Sequence, residues 1–304
     1  MAAIVSDDLE QWARKACAGL DVSLATRRTY LEALKSFFAW RRRITSPAAT
    51  EPGIETQALQ AYKAWLQAER SSNTVSTYLV ALRRCFAALV AQGHLPANPV
   101  EAIKGPRRPR GHLRSDLSRQ ELRALLGAIK RDSPLGRRDF AMINLMVRGG
   151  LRLVEVQRAN VDDIEEQQGR RILRIWGKGR ATRDEFVVLT EPTEQAIAAY
   201  LETRGPLPAS APLFAGLGGS NWGRRLSRRT IRRRVTYYME QTGVKRPRVS
   251  AHSLRHSFVT LAIEGGASIL QAQTAARHRS IQTTLVYFHE HARLSDPVED
   301  KIHI

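Results

Sequence analysis

The sequence predicts a mainly α-helical protein with a small antiparallel β-sheet, arranged as two domains. Three observations support this. Apolar residues recur at helical spacing over most of the chain, two short strand-like segments flank a Gly-Lys-Gly sequence, and a basic stretch rich in proline and glycine divides the chain. At 304 residues, the chain is long enough to bury a hydrophobic core in each domain.

The first predicted domain, residues 1–104, is helical. Two sets of residues of the same types follow one another at four-residue steps, so each set falls on one face of an amphipathic helix. The two sets are Thr26, Tyr30, Leu34 and Phe38, and Thr74, Tyr78, Leu82 and Phe86. A third helix is predicted between residues 54 and 70. Gly93 is predicted to end the last helix, because glycine is the commonest residue at helix C-termini.

Residues 105–114 are predicted to be a basic linker. The stretch from Lys104 to Gly111 contains two prolines, two glycines and three arginines. Prolines and glycines at this density exclude a regular helix or an inner strand, so the segment is expected to be an extended connection.

The second predicted domain, residues 115–304, begins with a helix. Ser118 is followed three residues later by Glu121, which is the capping-box pattern of a helix N-terminus. Helical spacing then continues to Val147 and breaks at the glycine pair 149–150.

A small sheet and further helices are predicted after this break. Residues 171–176 and 183–189 have strand-like composition, and the Gly-Lys-Gly sequence between them predicts a hairpin or meander with Lys178 at its turn. From Thr193 onward the pattern is helical again.

The charge of the chain predicts a polyanionic partner. The net charge is +19 and the isoelectric point about 10.9, and so many like charges repel one another without contributing to folding. No apolar run is expected to reach the roughly 18 residues of a membrane-spanning helix, and no signal segment begins the chain. Cys17 and Cys85 predict neither a disulfide framework nor a zinc site. A cytoplasmic nucleic-acid-binding protein is therefore expected.

Four separate segments contain polar residues that local structure does not require. They are residues 149–155 with Arg152 and Glu155, residues 177–179 with Lys178, residues 251–256 with His252 and Arg255, and residues 277–287 with His278 and Tyr287. Each has an ordinary structural explanation when taken singly. A lone tyrosine at apolar helical spacing, for example, is more often a core residue. Their joint order and spacing favour a shared site.

This set resembles the active site of the tyrosine recombinase, or phage integrase, family. The most specific part of the resemblance is the His-x-x-Arg segment 252–255, followed by His278 and, nine residues later, by Tyr287. The resemblance covers nearly the whole chain. Residues 1–104 resemble the helical (SAM-like) core-binding domain of the family, and residues 115–304 resemble its catalytic domain with a C-terminal tail.

The resemblance implies site-specific cleavage and rejoining of duplex DNA through a 3′-phosphotyrosine intermediate. Two guanidinium groups suit the charged oxygens of a phosphodiester because arginine binds them bidentately. The resemblance implies that Tyr287 is the nucleophile and that Arg152 and Arg255 bind the phosphate. Lys178 would be the general acid, assisted by His252. His278 would hydrogen-bond to the phosphate, and Glu155 would support the histidines or arginines of the site. The covalent link conserves the bond energy, and cationic side chains stabilise the transition state. We therefore expect no cofactor and no metal.

One position departs from the family pattern. Arg277 stands where the family commonly has glycine before the histidine. Three consequences are open at the sequence level: an altered turn, an extra phosphate contact, or lower activity.

A dense basic run covers residues 224–234. Ser227 is predicted to cap a helix whose apolar face contains Ile231, Val235 and Tyr238. Because the run carries charges of one sign, a DNA-facing helix is a better interpretation than a solvated surface. The predicted DNA-binding residues are Arg224, Arg225, Arg228, Arg229, Arg232, Arg233, Arg234, Arg107 and Arg108.

The resemblance also implies an assembly. The two domains are expected to close around duplex DNA as a clamp. A homotetramer is expected on two DNA sites, with monomers when free. The C-terminal tail, which contains Val298, Ile302 and Ile304, would dock on a neighbouring protomer or fold back on its own domain.

Integration or excision of a mobile element is the favoured role. Three alternatives remain open: Xer-like resolution of chromosome or plasmid dimers, a type IB topoisomerase that needs no partner sites, and a non-catalytic DNA-binding regulator in which the constellation is vestigial.

Overall fold

The computed structural model describes residues 6–44, 56–106, 116–176, 183–287 and residue 300. The chain divides into two compact units, Met1–Arg110 and Gly111–Ile304. The described parts of both units are largely helical, and the second unit also contains a three-stranded antiparallel sheet. The predicted mainly α class with a small antiparallel sheet is confirmed.

Helices pack around an aromatic core in the first unit. They are α1 (Ser6–Ala18), α2 (Leu24–Ile44), α3 (Thr56–Glu69) and α4 (Ser72–Ala91). Phe37 lies at the centre of this core, with ring centroids 5.1 Å from Tyr62 and 6.1 Å from Phe86. Gly93 follows α4 with a φ of 76°, which is the left-handed conformation predicted for the residue that ends this helix.

Helix α4 corrects one expectation about membranes. It is long and apolar enough to cross a membrane, with a mean hydropathy of 1.3, and it is the one helix in the described ranges that meets this test. The expectation that no segment would do so is wrong here, because α4 combines 20 residues with few charged side chains. The helix buries seven residues, including Leu82 and Phe86, in the core of its unit. Burial of this kind is typical of a core helix.

The second unit contains the remaining named elements. They are α5 (Arg119–Gly127), α6 (Pro134–Gly149), α7 (Leu153–Arg158), β1 (Ile164–Gln167), β2 (Arg170–Ile175), β3 (Glu185–Val188), α8 (Glu191–Glu202), α9 (Arg228–Gln241), α10 (Ser253–Glu264) and α11 (Ile269–Ala276). Residues 282–287 are helical again. Two predicted N-caps are confirmed, because the side chains of Ser118 and Ser227 each accept a hydrogen bond from the first turn of α5 and α9. The Ser268 side chain caps α11 in the same way.

The sheet has the strand order β1-β2-β3, and both pairs are antiparallel. Leu173 on β2 lies opposite Ile164 on β1 and Val187 on β3. The pairing of β2 with β3 is the predicted hairpin or meander. Strand β1 was not predicted, because its sequence Ile-Glu-Glu-Gln is polar and mostly exposed and lacks an alternating apolar pattern.

Helix α6 leads the chain to the site. Every residue from Ala141 to Val147 is buried, so this helix forms part of the core of its unit. It ends at Gly150, whose φ is 59° and where a Cβ atom would lie 2.4 Å from the Phe258 ring. Both the conformation and the space require glycine at this position. The break directs the chain into α7, which begins immediately after Arg152.

Candidate active site

Three chain segments bring the predicted site residues together. Arg152 is the N-cap residue of α7, and His252 is the N-cap residue of α10, with Arg255 in the first turn of that helix. The third segment begins at the C-terminus of α11, where Arg277 and His278 lead toward the helix of residues 282–287. The segments contact one another through hydrogen bonds although they are far apart in sequence. Arg152 bonds to Arg277, 125 residues away, and Arg255 bonds to Gly150 and Ala276, 105 and 21 residues away.

Glu155 connects two arginines. Its Oε1 lies 2.6 Å from Nη1 of Arg152, and its Oε2 lies 3.0 Å from Nη2 of Arg277. The backbone N–H of Arg152 also donates to Oε2 at 2.7 Å. The Glu155 side chain is 3% exposed. Burial raises the pKa of this carboxyl, but the Arg277 charge and the contacts with Arg152 outweigh burial and hold the pKa below its usual value. Glu155 is therefore a carboxylate at neutral pH.

Backbone carbonyl groups hold the other arginine. Nη1 of Arg255 donates to the Gly150 carbonyl at 2.6 Å, and Nη2 donates to the Ala276 carbonyl. Arg255 is 3% exposed, and burial together with the charges of Arg152 and Arg277 lowers its pKa below the usual value. We call Arg152, Glu155, Arg255 and Arg277 the Glu155 network. Its three positive charges and one negative charge leave an excess of positive charge.

His278 lies next to this network. Its Nδ1 is 2.9 Å from Oγ1 of Thr284, which fixes the orientation of the ring. Burial and the Arg255 charge lower the pKa of His278 to about 4. The ring is therefore neutral at pH 7, and one of its two nitrogens carries a hydrogen that can be donated.

Tyr287 is buried and contacts a histidine that was not assigned a role from the sequence. Its hydroxyl is hydrogen-bonded to Nδ1 of His256, and it packs against Val259 and Ala276. The His256 ring also lies edge-on to His252, with ring centroids 5.0 Å apart. His256 lies within the segment that carried the resemblance, but its spacing of 31 residues from Tyr287 gives no sequence signal for this contact.

Arg277 keeps the turn that a glycine would make. Its φ of 55° and ψ of 47° are left-handed, and it is the C-cap residue of α11. The first of the three open consequences, an altered turn, is therefore not observed. Its side chain is 4% exposed and points into the Glu155 network, so the expected extra phosphate contact is not favoured by the structure.

Some predicted residues lie outside the described residues. Lys178 belongs to residues 177–182, and Arg107 and Arg108 belong to residues 107–115. Val298, Ile302 and Ile304 of the tail also lie outside the described residues. Their predicted roles stay predictions.

The arginines of the basic run fall into two groups. Arg224, Arg228, Arg229, Arg232 and Arg233 are exposed; the last four form what we call the α9 arginine face. Arg225, which is also exposed, and Arg234, which is half-buried, contact protein groups. Arg225 donates to the Gln157 and Ala159 carbonyls, and Nε of Arg234 lies 2.6 Å from the fully buried Asp139 carboxylate.

Arg234 thus has a structural partner that the sequence did not reveal. Asp139 also accepts two hydrogen bonds from Arg138, and the Tyr238 hydroxyl lies 3.3 Å from its Oδ2. A buried carboxylate needs such partners. These contacts engage the guanidinium group of Arg234 within the protein, whereas Arg225 is exposed. That either residue faces DNA stays a prediction.

A family model described as "Phage integrase family" matches residues 115–293, more than half of the chain. The chain belongs to the phage integrase family. Its relatives include the tyrosine recombinase XerC of Mycobacterium sp. (strain KMS), which is 31% identical over 287 residues, covering 91% of this chain and 92% of that protein. The XerC of Pelobacter propionicus is 30% identical over 283 residues, covering 93% and 90%. The protein is thus a tyrosine recombinase, an enzyme that breaks and rejoins DNA.

Solved structures of other recombinases share the fold. The XerH site-specific recombinase bound to a palindromic difH substrate, in its post-cleavage complex, matches with a TM-score of 0.74 and 23% identity, covering 95% of this chain and 84% of that one. A lambda integrase tetramer bound to a Holliday junction matches with a TM-score of 0.68 and 18% identity, covering 90% and 77%. At these identities the likeness concerns the fold of this tyrosine recombinase.

Proposed function

We propose that this tyrosine recombinase cleaves and rejoins duplex DNA at specific sites through a 3′-phosphotyrosine bond formed by Tyr287. The observation that carries the proposal is the position of the Tyr287 hydroxyl on His256. Tyr287 also packs against Ala276, whose carbonyl accepts a hydrogen bond from Arg255, so the nucleophile lies close to one of the two guanidinium groups proposed to bind the scissile phosphate.

The Tyr287 oxygen attacks phosphorus and forms a new P–O bond, while the bond to the 5′-oxygen breaks. The phenol has an ordinary pKa near 10, so its proton needs an acceptor, and His256 is in hydrogen-bonding contact with it. Lys178 gives a proton to the leaving 5′-oxygen, with His252 assisting. Rejoining reverses these steps, with the free 5′-hydroxyl of a DNA strand as the nucleophile.

Arg152 and Arg255 stabilise the charge that develops on the non-bridging phosphate oxygens. Because Glu155 and the carbonyls of Gly150 and Ala276 already orient both guanidinium groups, little reorganisation is needed during the reaction. One preorganised donor of this kind contributes about 2.7–4 kcal/mol to transition-state stabilisation. Neutral His278 donates a further hydrogen bond to the phosphate.

The partner proposed for the α9 arginine face is the DNA backbone, with Arg224, Arg107 and Arg108 contributing further contacts. Residues 1–104 would act as the core-binding domain and residues 115–304 as the catalytic domain, joined by the basic linker and closing on DNA as a clamp. The XerH and lambda integrase structures named above are DNA complexes, and one contains a tetramer. This supports a homotetramer on two DNA sites, with the tail docking between protomers.

The biological role is proposed from the relatives. Those described above are XerC proteins that match this chain over about nine-tenths of its length, which slightly favours Xer-like resolution of chromosome or plasmid dimers in the cytoplasm. Integration or excision of a mobile element is the second candidate, because the phage integrase family model also matches. The sequence flanking the gene discriminates these roles, since terminal repeats or attachment sites would mark a mobile element.

A suicide substrate tests the chemistry. The protein is incubated with nicked duplex DNA fragments, and covalent protein–DNA adducts are separated by denaturing gel electrophoresis. The unmodified protein is expected to form an adduct on its own site, and Tyr287→Phe none. Tyr30→Phe, which removes the hydroxyl of a half-buried tyrosine in α2, serves as the matched control and is expected to retain the adduct.

The same assay separates the remaining alternatives. A site-specific recombinase forms adducts on a preferred sequence and exchanges strands between two such sites. Adducts on any duplex without sequence preference would instead indicate a type IB topoisomerase. If the unmodified protein binds its site tightly but forms no adduct there, it is a non-catalytic regulator and the proposal fails.

A further inference from the structure

Arg277 combines two features that seldom occur together. It has a left-handed backbone conformation, with a φ of 55°, which favours glycine. It also buries a charged side chain that is 4% exposed. Each feature costs free energy, so the contacts of the side chain are expected to offset these costs or to serve the reaction.

Two contacts of the Arg277 side chain are with groups that also hold the two phosphate-binding arginines. Nη2 lies 3.0 Å from Oε2 of Glu155, and the same nitrogen donates to the Gly150 carbonyl at 3.1 Å. Glu155 is the carboxylate that pairs with Arg152, and the Gly150 carbonyl is also the acceptor for Arg255. Arg277 therefore shares one partner with each of these arginines.

The backbone of Arg277 adds a second connection. Nη2 of Arg152 donates to the Arg277 carbonyl at 3.1 Å. Nη1 of Arg277 meanwhile donates to the Ala275 carbonyl at 2.6 Å, which holds the side chain against its own turn. The orientation of the Arg152 guanidinium thus depends on both the side chain and the backbone at position 277.

We propose that Arg277 is a positioning residue, which orients Arg152 and shares the charge of Glu155 so that Arg152 keeps its attraction for the scissile phosphate. This inference rests on the proposed function, because it assigns Arg152 to the phosphate. Arg277 itself does not bind DNA, since its guanidinium group is buried on Glu155.

The physical reason lies in the charge balance of the Glu155 network. Without Arg277, the one guanidinium group left on Glu155 among the residues that the structure describes is that of Arg152, and much of the attraction that Arg152 offers to a phosphate is cancelled. With Arg277 present, the carboxylate is shared between two cations. In the low-dielectric surroundings of a buried group, this difference acts strongly on a bound anion.

The test compares Arg277→Gly with a matched control. Gln168→Gly removes a left-handed side chain with a φ of 52° from an exposed turn between β1 and β2, so it reproduces the backbone change alone. Single-turnover cleavage at saturating DNA is measured together with the Kd for DNA. Arg277→Gly is expected to cleave roughly ten- to hundred-fold more slowly with little change in Kd, whereas Gln168→Gly behaves as the unmodified protein.

Two further variants distinguish positioning from a general loss of structure. Arg277→Lys retains the charge and is expected to recover part of the lost rate. In the background of Glu155→Gln, the additional effect of Arg277→Gly is expected to shrink to less than about three-fold, because a neutral amide does not need a second cation. Equal effects of Arg277→Gly in both backgrounds, or unchanged cleavage by Arg277→Gly, would overturn the inference.

A measurement that does not depend on cleavage separates this inference from the proposed function. The rotation of the Arg152 guanidinium group is followed by NMR, with Arg152→Lys used to assign its signal. Rotation is expected to be slow in the unmodified protein and faster in Arg277→Gly. If rotation is equally slow in both, Arg277 does not position Arg152. Absence of any adduct from the unmodified protein would refute the proposed function instead.

Discussion

The arginines of the Glu155 network and those of the α9 arginine face differ in what holds them. In the network, Glu155 and backbone carbonyl groups, among them those of Gly150, Ala276 and Arg277, fix the directions of the guanidinium groups. On the α9 face, Arg228, Arg229, Arg232 and Arg233 are exposed. The first region has already lost its side-chain entropy on folding, and the second would lose it only on binding.

This difference separates two uses of the same side chain. Arginines with a fixed direction can stabilise charge at one point in space, which is what a transition state requires. Exposed arginines can adjust to phosphates of the DNA backbone at different positions, and salt weakens their attraction for these phosphates. The buried network should therefore control the rate of cleavage, and the exposed face should control affinity for DNA.

The largest effect is expected from Arg255→Ala. Because both Nη atoms of this residue are held by carbonyls, its loss should lower single-turnover cleavage by roughly 10²- to 10³-fold. The Kd for DNA should change by less than about three-fold, since affinity resides in the exposed arginines. An equal loss in rate and in affinity would contradict the separation of the two regions.

A smaller effect, on stability, is expected from Arg234→Ala. Its guanidinium group pairs with buried Asp139 and with the Tyr238 hydroxyl, although Asp139 keeps Arg138 as a partner. The free energy of unfolding should fall by about 1–3 kcal/mol, as measured by denaturant titration. The exposed neighbour Arg233 provides the control, and Arg233→Ala should change the free energy of unfolding by less than about 0.5 kcal/mol. If Arg234→Ala changed DNA affinity rather than stability, this arginine would belong to the α9 arginine face.

Arg232→Ala should weaken binding to DNA modestly and at every sequence alike. If Arg232 neutralises one phosphate, the slope of log K against log salt should decrease in magnitude by about 0.9. The slope is measured by fluorescence anisotropy between low and physiological salt. A sequence-dependent loss would show instead that Arg232 contacts a base edge.

No change in charge is expected for His278 between pH 8 and pH 5.5. Its pKa is lowered to about 4 by burial and by the Arg255 charge, so NMR titration of the ring should show it neutral over this range. Since the pKa in the folded state lies below the unfolded value near 6.5, this residue stabilises the fold above pH 6.5, and that contribution is lost as the pH falls toward 4. Titration of this ring near pH 6.5 in the folded protein would refute this prediction.

Much of the fold could be predicted because its signals are local. The helical faces around Phe38 and Phe86, the capping serines and the glycine break at 149–150 all depend on residues within one or two helical turns. The site residues could be proposed because the spacing between His252, Arg255, His278 and Tyr287 is specific to one family.

The remaining features depend on partners that lie far away in sequence. Arg234 and Asp139 are 95 residues apart, and Arg277 and Glu155 are 122 apart. The sequence of the basic run does not distinguish Arg234 from Arg233. They differ because the buried carboxylate of Asp139 lies next to Arg234. Position 277 could be recognised as a departure from the family, but the direction of its side chain could not.

Main-chain atoms are prominent among the groups that orient the buried arginines. Arg255 and Arg277 both donate to the Gly150 carbonyl, Arg255 also to that of Ala276, and Arg152 to that of Arg277 itself. A carbonyl oxygen is supplied by every residue type, so substitutions at 276 or 277 can replace the side chain without deleting these acceptors. The side chains at these positions can therefore change during evolution while the same carbonyl groups continue to orient the guanidinium groups.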